Sequence, residues 1–441
     1  MKRVLCTGGS RSVGVVGGIL WTWVALAAEP ADVRLAGEWR VTVTAAVNQS
    51  PVSATLDVAP PEMATVTNER HEKLRDFNPQ APGWTRGTTL AGLRASECTV
   101  KGALDAASLV VRAGTEATAI RFEKGQDYEA DLDWGTVGRL AAGRIEVDQP
   151  VFISYRYVKR RLDAVVLTTE GRIVLKRGEP HVSMCQPPGL AAGERRLANI
   201  FIPGMISALT ADNLFPILET AYPKPPPADS TIAESRLPKT VNKLKSGEPL
   251  TILAWGDSVT TYKRWQTMFV ERLRAKYPAA KIELVTEAWG GRNTGSYLAE
   301  PAGSEHNYRE KVLGRKPDLI VSEFVNDAGL SPAQVEQRYG QLQVDFQSIG
   351  AEWAILTPHY VIPDWMGFTQ QRDIDNDPRP YVAGLRQFAE KHNVALGDAS
   401  LRYGRLWRQG IPYLTLMENN INHPNEFGHT LFADSLMALF E

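Results

Sequence analysis

Four short motifs that could carry out chemistry lie in the C-terminal half of the chain, each next to an apolar segment. In chain order they are Gly256-Asp257-Ser258, Gly290-Gly291, Asn326-Asp327 and His423-Pro424-Asn425. A serine hydroxyl attacks a carbonyl group poorly unless a base removes its proton and hydrogen-bond donors stabilise the developing oxyanion. The motifs supply a hydroxyl, an imidazole, an amide and glycines whose backbone can approach a ligand closely. These residue types predict nucleophilic catalysis by Ser258 with His423 as its base.

The elements around these motifs predict a parallel α/β sheet. Apolar segments typical of strands cover residues 251–255, 281–286, 318–324, 352–357 and 394–397, and helical periodicity covers 261–277, 332–349, 380–392 and 426–440. Strands that alternate with helices over short loops predict a doubly wound sheet. Ser258 follows the first strand, at the edge where ligands of open α/β sheets bind. Pro424 fits the first position of the last helix, which would hold His423 at the mouth of that helix.

The order and spacing of the four motifs resemble the GDSL/SGNH hydrolases over roughly residues 248–441. The resemblance implies a three-layer, flavodoxin-like α/β domain that acts as a carboxylic ester hydrolase without a cofactor or metal. By the same resemblance, Ser258 is the nucleophile and His423 the general base. The backbone of Gly291, favoured over that of Gly290, and the side chain of Asn326 are the oxyanion donors.

The chain departs from the family pattern at two positions. The family has Asp three residues before the catalytic His, where this chain has Asn420, and Gly two residues before Asn326, where it has Phe324. The favoured interpretation of Asn420 is a Ser–His pair in which His423 is held by the Asn420 amide or by a backbone carbonyl. A carboxylate from elsewhere is the second alternative, and a slow or degenerate site is the third; the candidate carboxylates are Glu418, Glu426 and Asp398. Phe324 is expected to make the wall of the acyl pocket bulkier.

An aromatic stretch follows the predicted strand 352–357 and fits a substrate-binding wall. Its candidate residues are His359, Tyr360, Trp365 and Arg372. Packing of these aromatic side chains into the core is an equal alternative. The acidic residues from 373 to 377 lack the glycine and the glutamate that a calcium loop needs at its sixth and twelfth positions, so no metal site is expected there.

The rest of the chain predicts an export signal, a β-rich region and a linker. Residues 1–28 combine Lys2 and Arg3, an apolar core and a small-residue cleavage site, which predicts a signal peptide and a secreted or periplasmic protein without a membrane segment after cleavage. Short alternating strands predict a sandwich-like accessory region over 33–222, with a second module that starts near 120. Residues 223–247 are rich in proline and charge and predict a linker.

Composition and family resemblance together favour one function over two others. The net charge is −1 and charges of both signs are interspersed, so nothing indicates a nucleic-acid partner. The favoured function is an exported serine esterase that removes acyl groups, acetyl above all, from an extracellular polysaccharide. The alternatives are a non-catalytic protein that binds glycans or surfaces with a degenerate hydrolase domain, and an O-acyltransferase that passes the acyl group to a sugar hydroxyl.

Overall fold

The structure is a computed structural model that describes residues 29–224 and 229–441. The predicted signal peptide, residues 1–28, lies outside the described residues, as do residues 225–228 of the predicted linker. Among the residues that are described, no helix combines the length and the apolar character needed to cross a bilayer.

The N-terminal region is built from antiparallel strands, as predicted. The strands are β1 (Asp32–Gly37), β2 (Arg40–Val47), β3 (Ser50–Asp57), β4 (Met63–His71), β5 (Thr88–Thr89), β6 (Arg94–Ala95), β7 (Cys98–Thr99), β8 (Leu104–Arg112), β9 (Tyr128–Asp131), β10 (Thr136–Arg139), β11 (Val151–Val158), β12 (Arg161–Leu167), β13 (Ile173–Lys176), β14 (Arg195–Ile202) and β15 (Leu214–Pro216).

Two separate hydrophobic cores divide this region into two modules. In the first, the sheet β1-β2-β3 packs on the sheet β13-β12-β14-β15, and Val41, Val43 and Val165 are buried between them. In the second, the sheets β4-β11-β8 and β5-β10-β9 share a core that includes Val111 and Val137. The second module is therefore inserted between β3 and β12 of the first.

The prediction that a second module starts near residue 120 is not what the structure shows. Strand β8 lies before that position and β11 after it, yet the two strands pair directly. The turn signals near 120 mark a loop within one module, because the strand pairing that defines a module links residues far apart in sequence.

The C-terminal half is a three-layer α/β domain, as predicted. Its strands are β16 (Pro249–Gly256), β17 (Lys281–Ala288), β18 (Leu319–Glu323), β19 (Glu352–Leu356) and β20 (Ala395–Gly397). Its helices are α1 (Ile232–Arg236), α2 (Pro238–Ser246), α3 (Ser258–Thr261), α4 (Arg264–Lys276), α5 (Thr294–Ala299), α6 (Tyr308–Lys311), α7 (Pro332–Ser348), α8 (Pro363–Met366), α9 (Pro380–Lys391), α10 (Ala399–Arg405) and α11 (Glu426–Met437).

The sheet of this domain is parallel throughout, with the order β17-β16-β18-β19-β20. Both of its faces are covered, so β16 is apolar at consecutive positions. Ile252 and Ala254 face the core layer formed with α4 and α11, and Leu253 and Trp255 face the layer formed with α7 and α9. The carboxyl ends of the strands meet at one edge, which is where the predicted site residues lie.

The predicted linker extends too far along the chain. Residues 232–246 form the helices α1 and α2, and Ala233, Leu237, Val241 and Leu244 are buried in the core of the α/β domain. The segment resembles a linker in sequence because its exposed face carries lysines, while its few apolar residues follow helical spacing.

The N-terminal region is packed firmly on the α/β domain. Phe201 and Phe215 belong to the same buried cluster as Trp407. The Asn199 side-chain amide donates to the Gly410 carbonyl at 2.7 Å, and both groups are buried. Residues of both regions are therefore buried together in one cluster where the two regions meet.

The burial of α2 predicts that Leu244→Ala destabilises the α/β domain. Removing a fully buried leucine leaves a cavity, and the expected loss is about 2–5 kcal/mol in the free energy of unfolding. Chemical denaturation monitored by circular dichroism measures the loss. Val344→Ala is the control, since Val344 lies on α7 with its surface 61% exposed. Equal stability of the two variants would show that α2 is not part of the folded core.

Candidate active site

Ser258 lies at the sharp turn between β16 and α3. Asp257 caps the helix by accepting from the Val259 N–H at 3.1 Å. A side chain on Gly256 would come within 2.2 Å of the Thr260 hydroxyl and 2.5 Å of the Glu323 carbonyl oxygen, so the turn requires glycine. Ser258 is the first residue of the helix, where backbone N–H groups have no partner within the helix. The hydroxyl is therefore presented at the strand's carboxyl end, at the first residue of the helix.

Asp257 joins this turn to the next strand end. Its other carboxylate oxygen accepts from the Asn326 N–H at 2.9 Å, and the residue is fully buried. Burial raises the pKa of Asp257, against the lowering effect of the two backbone donors. The side chain braces the Ser258 and Asn326 segments against each other and is not exposed to a substrate.

His423 lies in a loop that is 165 residues after Ser258 in sequence but next to it in the fold. Its Nε2 lies 3.1 Å from the Ser258 hydroxyl oxygen. The loop is closed by a bridge between Met417 and Pro424 and by a hydrogen bond from the Glu418 N–H to the His423 carbonyl at 2.8 Å. The structure thus brings together the predicted serine and histidine.

The predicted place of Pro424 in the last helix is wrong by two positions. Helix α11 begins at Glu426, and Asn425 is its N-cap, whose side chain accepts from the Gly428 N–H at 3.0 Å. Because an asparagine side chain can satisfy the free donors of the first turn, the helix starts after it and not at the proline. His423 is held by the preceding loop instead.

Glu97, from the inserted β module, occupies the position of a triad acid. Its Oε1 lies 2.5 Å from His423 Nδ1. Ser96 and Glu97 form the two-residue turn between β6 and β7, with Ser96 at a φ of +54°. Such tight hairpin turns accept positive φ angles and present their side chains outward. The carboxylate contact at Nδ1 favours the tautomer with the proton on Nδ1, which leaves Nε2 free to accept from Ser258.

Glu97 remains ionised down to low pH. Partial burial acts to raise its pKa, but hydrogen bonds from His423 and Ser96 outweigh this effect and lower the pKa to about 2. The Tyr262 hydroxyl also lies 3.1 Å from His423 Nδ1, and the Tyr262 ring meets the imidazole edge-on at 5.4 Å. A negative charge and an aromatic wall therefore fix the orientation of the imidazole.

Asn419 organises the loop that carries His423. Its side-chain oxygen accepts from the N–H groups of Ile421, Asn422 and His423, each at 2.9 Å. Its side-chain nitrogen donates to Glu97 Oε1 at 2.9 Å. One buried amide therefore links the histidine loop and the acid of the other region.

Asn420 does not orient His423, contrary to the favoured interpretation of the sequence. Its side-chain oxygen accepts from the Arg160 guanidinium, and both residues are buried. Asn420 adopts a φ of +63°, a left-handed conformation that asparagine tolerates, and this turns its side chain toward the N-terminal region. The second alternative was a carboxylate from elsewhere in the chain. A carboxylate does contact His423, but it belongs to Glu97, which was not among the three candidates.

The three carboxylates considered from the sequence lie in other surroundings. Glu418 pairs with Arg264 at 2.5 Å, and Asp398 pairs with Arg386 at 2.7 Å. Glu426 is an exposed residue in the first turn of α11. Neither ion pair involves His423.

The segments that carry the predicted oxyanion donors come close to the turn at Ser258. A Cβ atom on Gly290 would lie 3.8 Å from Ser258 Cβ, so the glycine pair is in contact with the serine. Gly291 has a φ of +71° and open space on its Cβ side. The side-chain nitrogen of Asn326 is buried and has no hydrogen-bond partner among the described residues. An unpartnered buried donor is costly, and an oxyanion beside Ser258 would satisfy it.

Buried contacts hold the two donor segments in place. The Trp289 N–H donates to the Gly256 carbonyl at 3.1 Å, and the Trp289 ring stacks on His306 at 4.6 Å. Asp327, next to Asn326, accepts from the Thr294 hydroxyl at 2.7 Å. The donors are therefore fixed before any ligand arrives, as electrostatic stabilisation of a transition state requires.

The predicted substrate wall is largely wrong. His359 and Tyr360 are fully buried, and their side chains bond to the carbonyls of Asn422 at 2.7 Å and Ile374 at 2.8 Å. Arg372 donates to the Ala211 carbonyl at 2.7 Å. The alternative of core packing applies to the first two because the strand end before them is covered by α10 and α11. Trp365 is the exception, with 52% of its surface exposed.

Phe324 does not line a pocket, although the sequence suggested that it would. It is 1% exposed, and its ring packs on Trp255 at 4.8 Å and on Tyr297 at 6.0 Å. The side chain points into the core layer. A phenylalanine at the position where the family has glycine therefore does not narrow the site.

Sequence reasoning missed Glu97, Tyr262 and Asn419. Glu97 lies more than 300 residues from His423 in a different region, and no local pattern separates it from the other acidic residues. Asn419 was recognisable in principle, as a second amide beside Asn420 in a loop just before the histidine. No cluster of His, Cys, Asp or Glu with the arrangement of a metal site occurs in residues 29–224 or 229–441.

The parallel five-stranded sheet, with Ser258 and His423 in contact at its carboxyl edge, has a three-layer α/β fold of the SGNH type. The model of the GDSL-like Lipase/Acylhydrolase family matches residues 252–431. This stretch, which contains all four motifs, is a GDSL-like lipase/acylhydrolase domain. Among curated proteins, none matches the chain.

Several solved structures are similar to a part of this chain. LAE5, an alpha/beta hydrolase enzyme from the metagenome of Lake Arreo in Spain, is 20% identical, with 43% of this chain and 94% of that chain covered and a TM-score of 0.35. TesA is 18% identical, with coverages of 43% and 98% and a TM-score of 0.33. A GDSL-like lipase from Bacteroides thetaiotaomicron is 12% identical, with coverages of 44% and 87% and a TM-score of 0.31. Similarity at this level carries no conclusion about substrate.

The contact between Glu97 and His423 predicts that Glu97→Gln slows turnover. A neutral amide cannot stabilise the imidazolium that forms when His423 takes a proton, and its own N–H groups compete for the wrong tautomer. We expect kcat for a p-nitrophenyl ester to fall on the order of 10²–10³-fold with little change in KM, since part of the orientation remains with Tyr262 and Asn419.

Two variants serve as controls for Glu97→Gln. Glu72→Gln removes a carboxylate of the same module whose side chain is 75% exposed and pairs with Arg70, and kcat is expected to stay unchanged. Asn420→Asp places a carboxylate beside Arg160 and away from His423, so it too is expected to give no increase in kcat. A rise in kcat with Asn420→Asp, or an unchanged kcat with Glu97→Gln, would show that Glu97 is not the acid.

The lowered pKa of Glu97 predicts a pH-dependent difference in stability. The pKa falls from 4.5 to about 2 on folding, so the stabilisation is fully present above pH 4.5 and is lost as the pH falls through about 2. The difference in Tm between the wild type and Glu97→Gln is therefore expected to shrink as the pH is lowered from 5 toward 2. Differential scanning calorimetry at several pH values measures it, and a difference that stays constant over this range would contradict the contact.

Proposed function

We propose that the protein is an exported serine esterase that hydrolyses acyl esters through Ser258, His423 and Glu97. The observation that carries the proposal is the continuous chain of contacts from Glu97 through His423 to Ser258. Asn326, whose side-chain nitrogen is buried without a partner among the described residues, is joined to this turn through the hydrogen bond from its N–H to Asp257. This arrangement supports a nucleophilic acyl transfer in which Ser258 is the nucleophile, His423 the base and Glu97 the acid.

In the first step, His423 Nε2 takes the hydroxyl proton while the Ser258 oxygen attacks the carbonyl carbon of the ester. The imidazolium that forms is stabilised by the ionised carboxylate of Glu97. The carbonyl oxygen becomes a tetrahedral oxyanion, which the N–H groups of Ser258 and Gly291 and the side-chain amide of Asn326 stabilise. Each such donor contributes about 3 kcal/mol of transition-state stabilisation in comparable sites.

In the second step, the bond between the carbonyl carbon and the alcohol oxygen breaks. His423 returns its proton to that oxygen, and the alcohol leaves an acyl group on Ser258. Water then enters, His423 takes one of its protons, and the hydroxide attacks the acyl carbon through a second oxyanion held by the same donors. Release of the acid returns the proton to Ser258, so atoms and charges balance over the cycle.

The proposed substrate is an acetyl ester on an extracellular polysaccharide. The sequence of residues 1–28 supports export, with a secreted or periplasmic location. The β-rich region supports this choice because it contacts the proposed site through Glu97 and so could contribute to binding an extended substrate. The acyl acceptor in this proposal is water; an O-acyltransferase would use the same residues with a sugar hydroxyl as the acceptor.

A non-catalytic glycan-binding protein is the other candidate function. The sequence features that favour this candidate are Asn420 and Phe324. In the structure, Asn420 accepts from Arg160 and Phe324 packs on Trp255 in the core. The acidic partner of His423 comes from Glu97, so a missing aspartate at position 420 no longer favours this candidate.

Ser258→Ala tests the proposal directly. The variant is expected to lose hydrolysis of p-nitrophenyl acetate by about 10³-fold or more, because Ser258 carries the hydroxyl that lies at His423 Nε2. Ser348→Ala, which removes an exposed serine at the end of α7, is expected to retain full activity. Labelling with diethyl p-nitrophenyl phosphate followed by peptide mass spectrometry should place the adduct on Ser258. Wild-type turnover that persists in Ser258→Ala would refute the mechanism.

A further inference from the structure

Three tryptophans form a partly exposed surface beside the catalytic groups. The Trp84 ring lies 5.0 Å from Trp134 and 5.9 Å from Trp365, centroid to centroid. Trp84 and Trp134 belong to the inserted β module, and Trp365 belongs to α8 of the α/β domain. We call these three residues the tryptophan platform.

The platform is built into the fold and is not a chance exposure. A Cβ atom on Gly83 would lie 1.9 Å from the Trp134 ring, so glycine is required for the indole to lie against the backbone. The Thr136 hydroxyl donates a hydrogen bond to the Gly83 carbonyl at 2.9 Å. On the other side, the Trp365 N–H donates to the Ile362 carbonyl at 3.0 Å. Backbone contacts in both regions therefore fix the segments that carry the tryptophans.

The platform is continuous with the proposed active site. Trp84 and Trp134 pack on a buried cluster of Cys98, Ile362 and Ile421. Cys98 is the neighbour of Glu97 in sequence, and Ile421 lies two residues before His423. The same contact between the two regions thus places the acid on the histidine and the tryptophans next to them.

We propose that the tryptophan platform binds a pyranose ring of the substrate next to the ester that Ser258 attacks. This inference rests on the proposed esterase function. One face of a pyranose carries C–H groups, which pack on the electron-rich face of an indole and bury apolar surface. Its hydroxyl groups need polar partners, and the ion pair of Lys101 with Asp364, next to Trp365, supplies charged donors and acceptors at the rim.

The exposure of the platform favours a sugar over an acyl chain. An alkyl chain gains binding free energy by complete removal of its surface from water. Trp365 is more than half exposed, which suits a ring that is apolar on one face and hydrated on the other. Exposed aromatic surface of this kind is typical of a binding site in a soluble protein.

The test compares two kinds of acetate ester in the full chain. Glucose pentaacetate and xylose tetraacetate carry a pyranose ring, and glyceryl triacetate carries the same acyl group without one. Trp365→Ala is expected to raise KM for the pyranose acetates about 10-fold and to leave kcat/KM for glyceryl triacetate unchanged. Trp365→Phe should keep part of the affinity, and Val344→Ala, which truncates an exposed side chain of α7, should change neither substrate.

Three outcomes would overturn the platform while the esterase stands. The first is an equal KM for the pyranose acetates in the wild type and Trp365→Ala. The second is a wild type that hydrolyses glyceryl triacetate and neither pyranose acetate. The third is a loss in Trp365→Ala that is confined to p-nitrophenyl octanoate, which would assign the platform to an acyl chain.

A binding measurement separates the platform from the esterase mechanism. Calorimetric titration of Ser258→Ala with cellohexaose and xylohexaose is expected to show binding that the double variant with Trp365→Ala loses. If no ester were hydrolysed by the wild type, the proposed function would fail, and this titration would still decide the platform. Binding to neither oligosaccharide would overturn it.

Discussion

The contact of Glu97 with His423 is the constraint on which the arrangement of the whole molecule depends. It joins a hairpin of the inserted β module to a loop of the α/β domain across a distance of 2.5 Å. A carboxylate on a separate region can serve an imidazole only if the two regions keep their relative position to within a few tenths of an ångström. Beside Glu97, the inserted module contacts the α/β domain through the buried cluster of Cys98, Ile362 and Ile421.

Two adjacent asparagines in the loop before His423, Asn419 and Asn420, make contacts on opposite sides of the loop. Asn419 faces the catalytic groups, and its single oxygen satisfies three backbone donors while its nitrogen reaches Glu97. The Asn420 side chain points the other way and accepts from Arg160 of the N-terminal region. Burial of Arg160 lowers the pKa of its guanidinium to about 10. A neutral amide at position 420 satisfies a buried donor, and its left-handed backbone reverses the chain before His423.

The sequence predicted the α/β half well because its information is local. Apolar runs define the five strands, and the motifs lie where strands end, so Ser258 and His423 could be placed at one edge without further data. The failures have a common physical cause. Glu97, the core positions of His359 and Phe324, and the burial of α1 and α2 depend on contacts between segments far apart in sequence. Side-chain direction at Asn420 depends on one backbone dihedral angle, and residue type alone does not fix it.

Because Glu97 contacts His423 from the N-terminal region, the proposed mechanism makes that region part of the catalytic unit and more than an accessory to it. A GDSL-like domain that carried its own aspartate could work without a partner region, and its edge would be open on all sides. Here the inserted module that carries Glu97 also carries Trp84 and Trp134, whose rings pack on the cluster that contains Cys98, the neighbour of Glu97 in sequence. In the proposed mechanism, the surface that completes the charge arrangement therefore also shapes the site. Electrostatic and steric requirements are therefore met by one interface. Substitutions within that interface are constrained twice, by the position of a carboxylate and by the shape of the surface beside it.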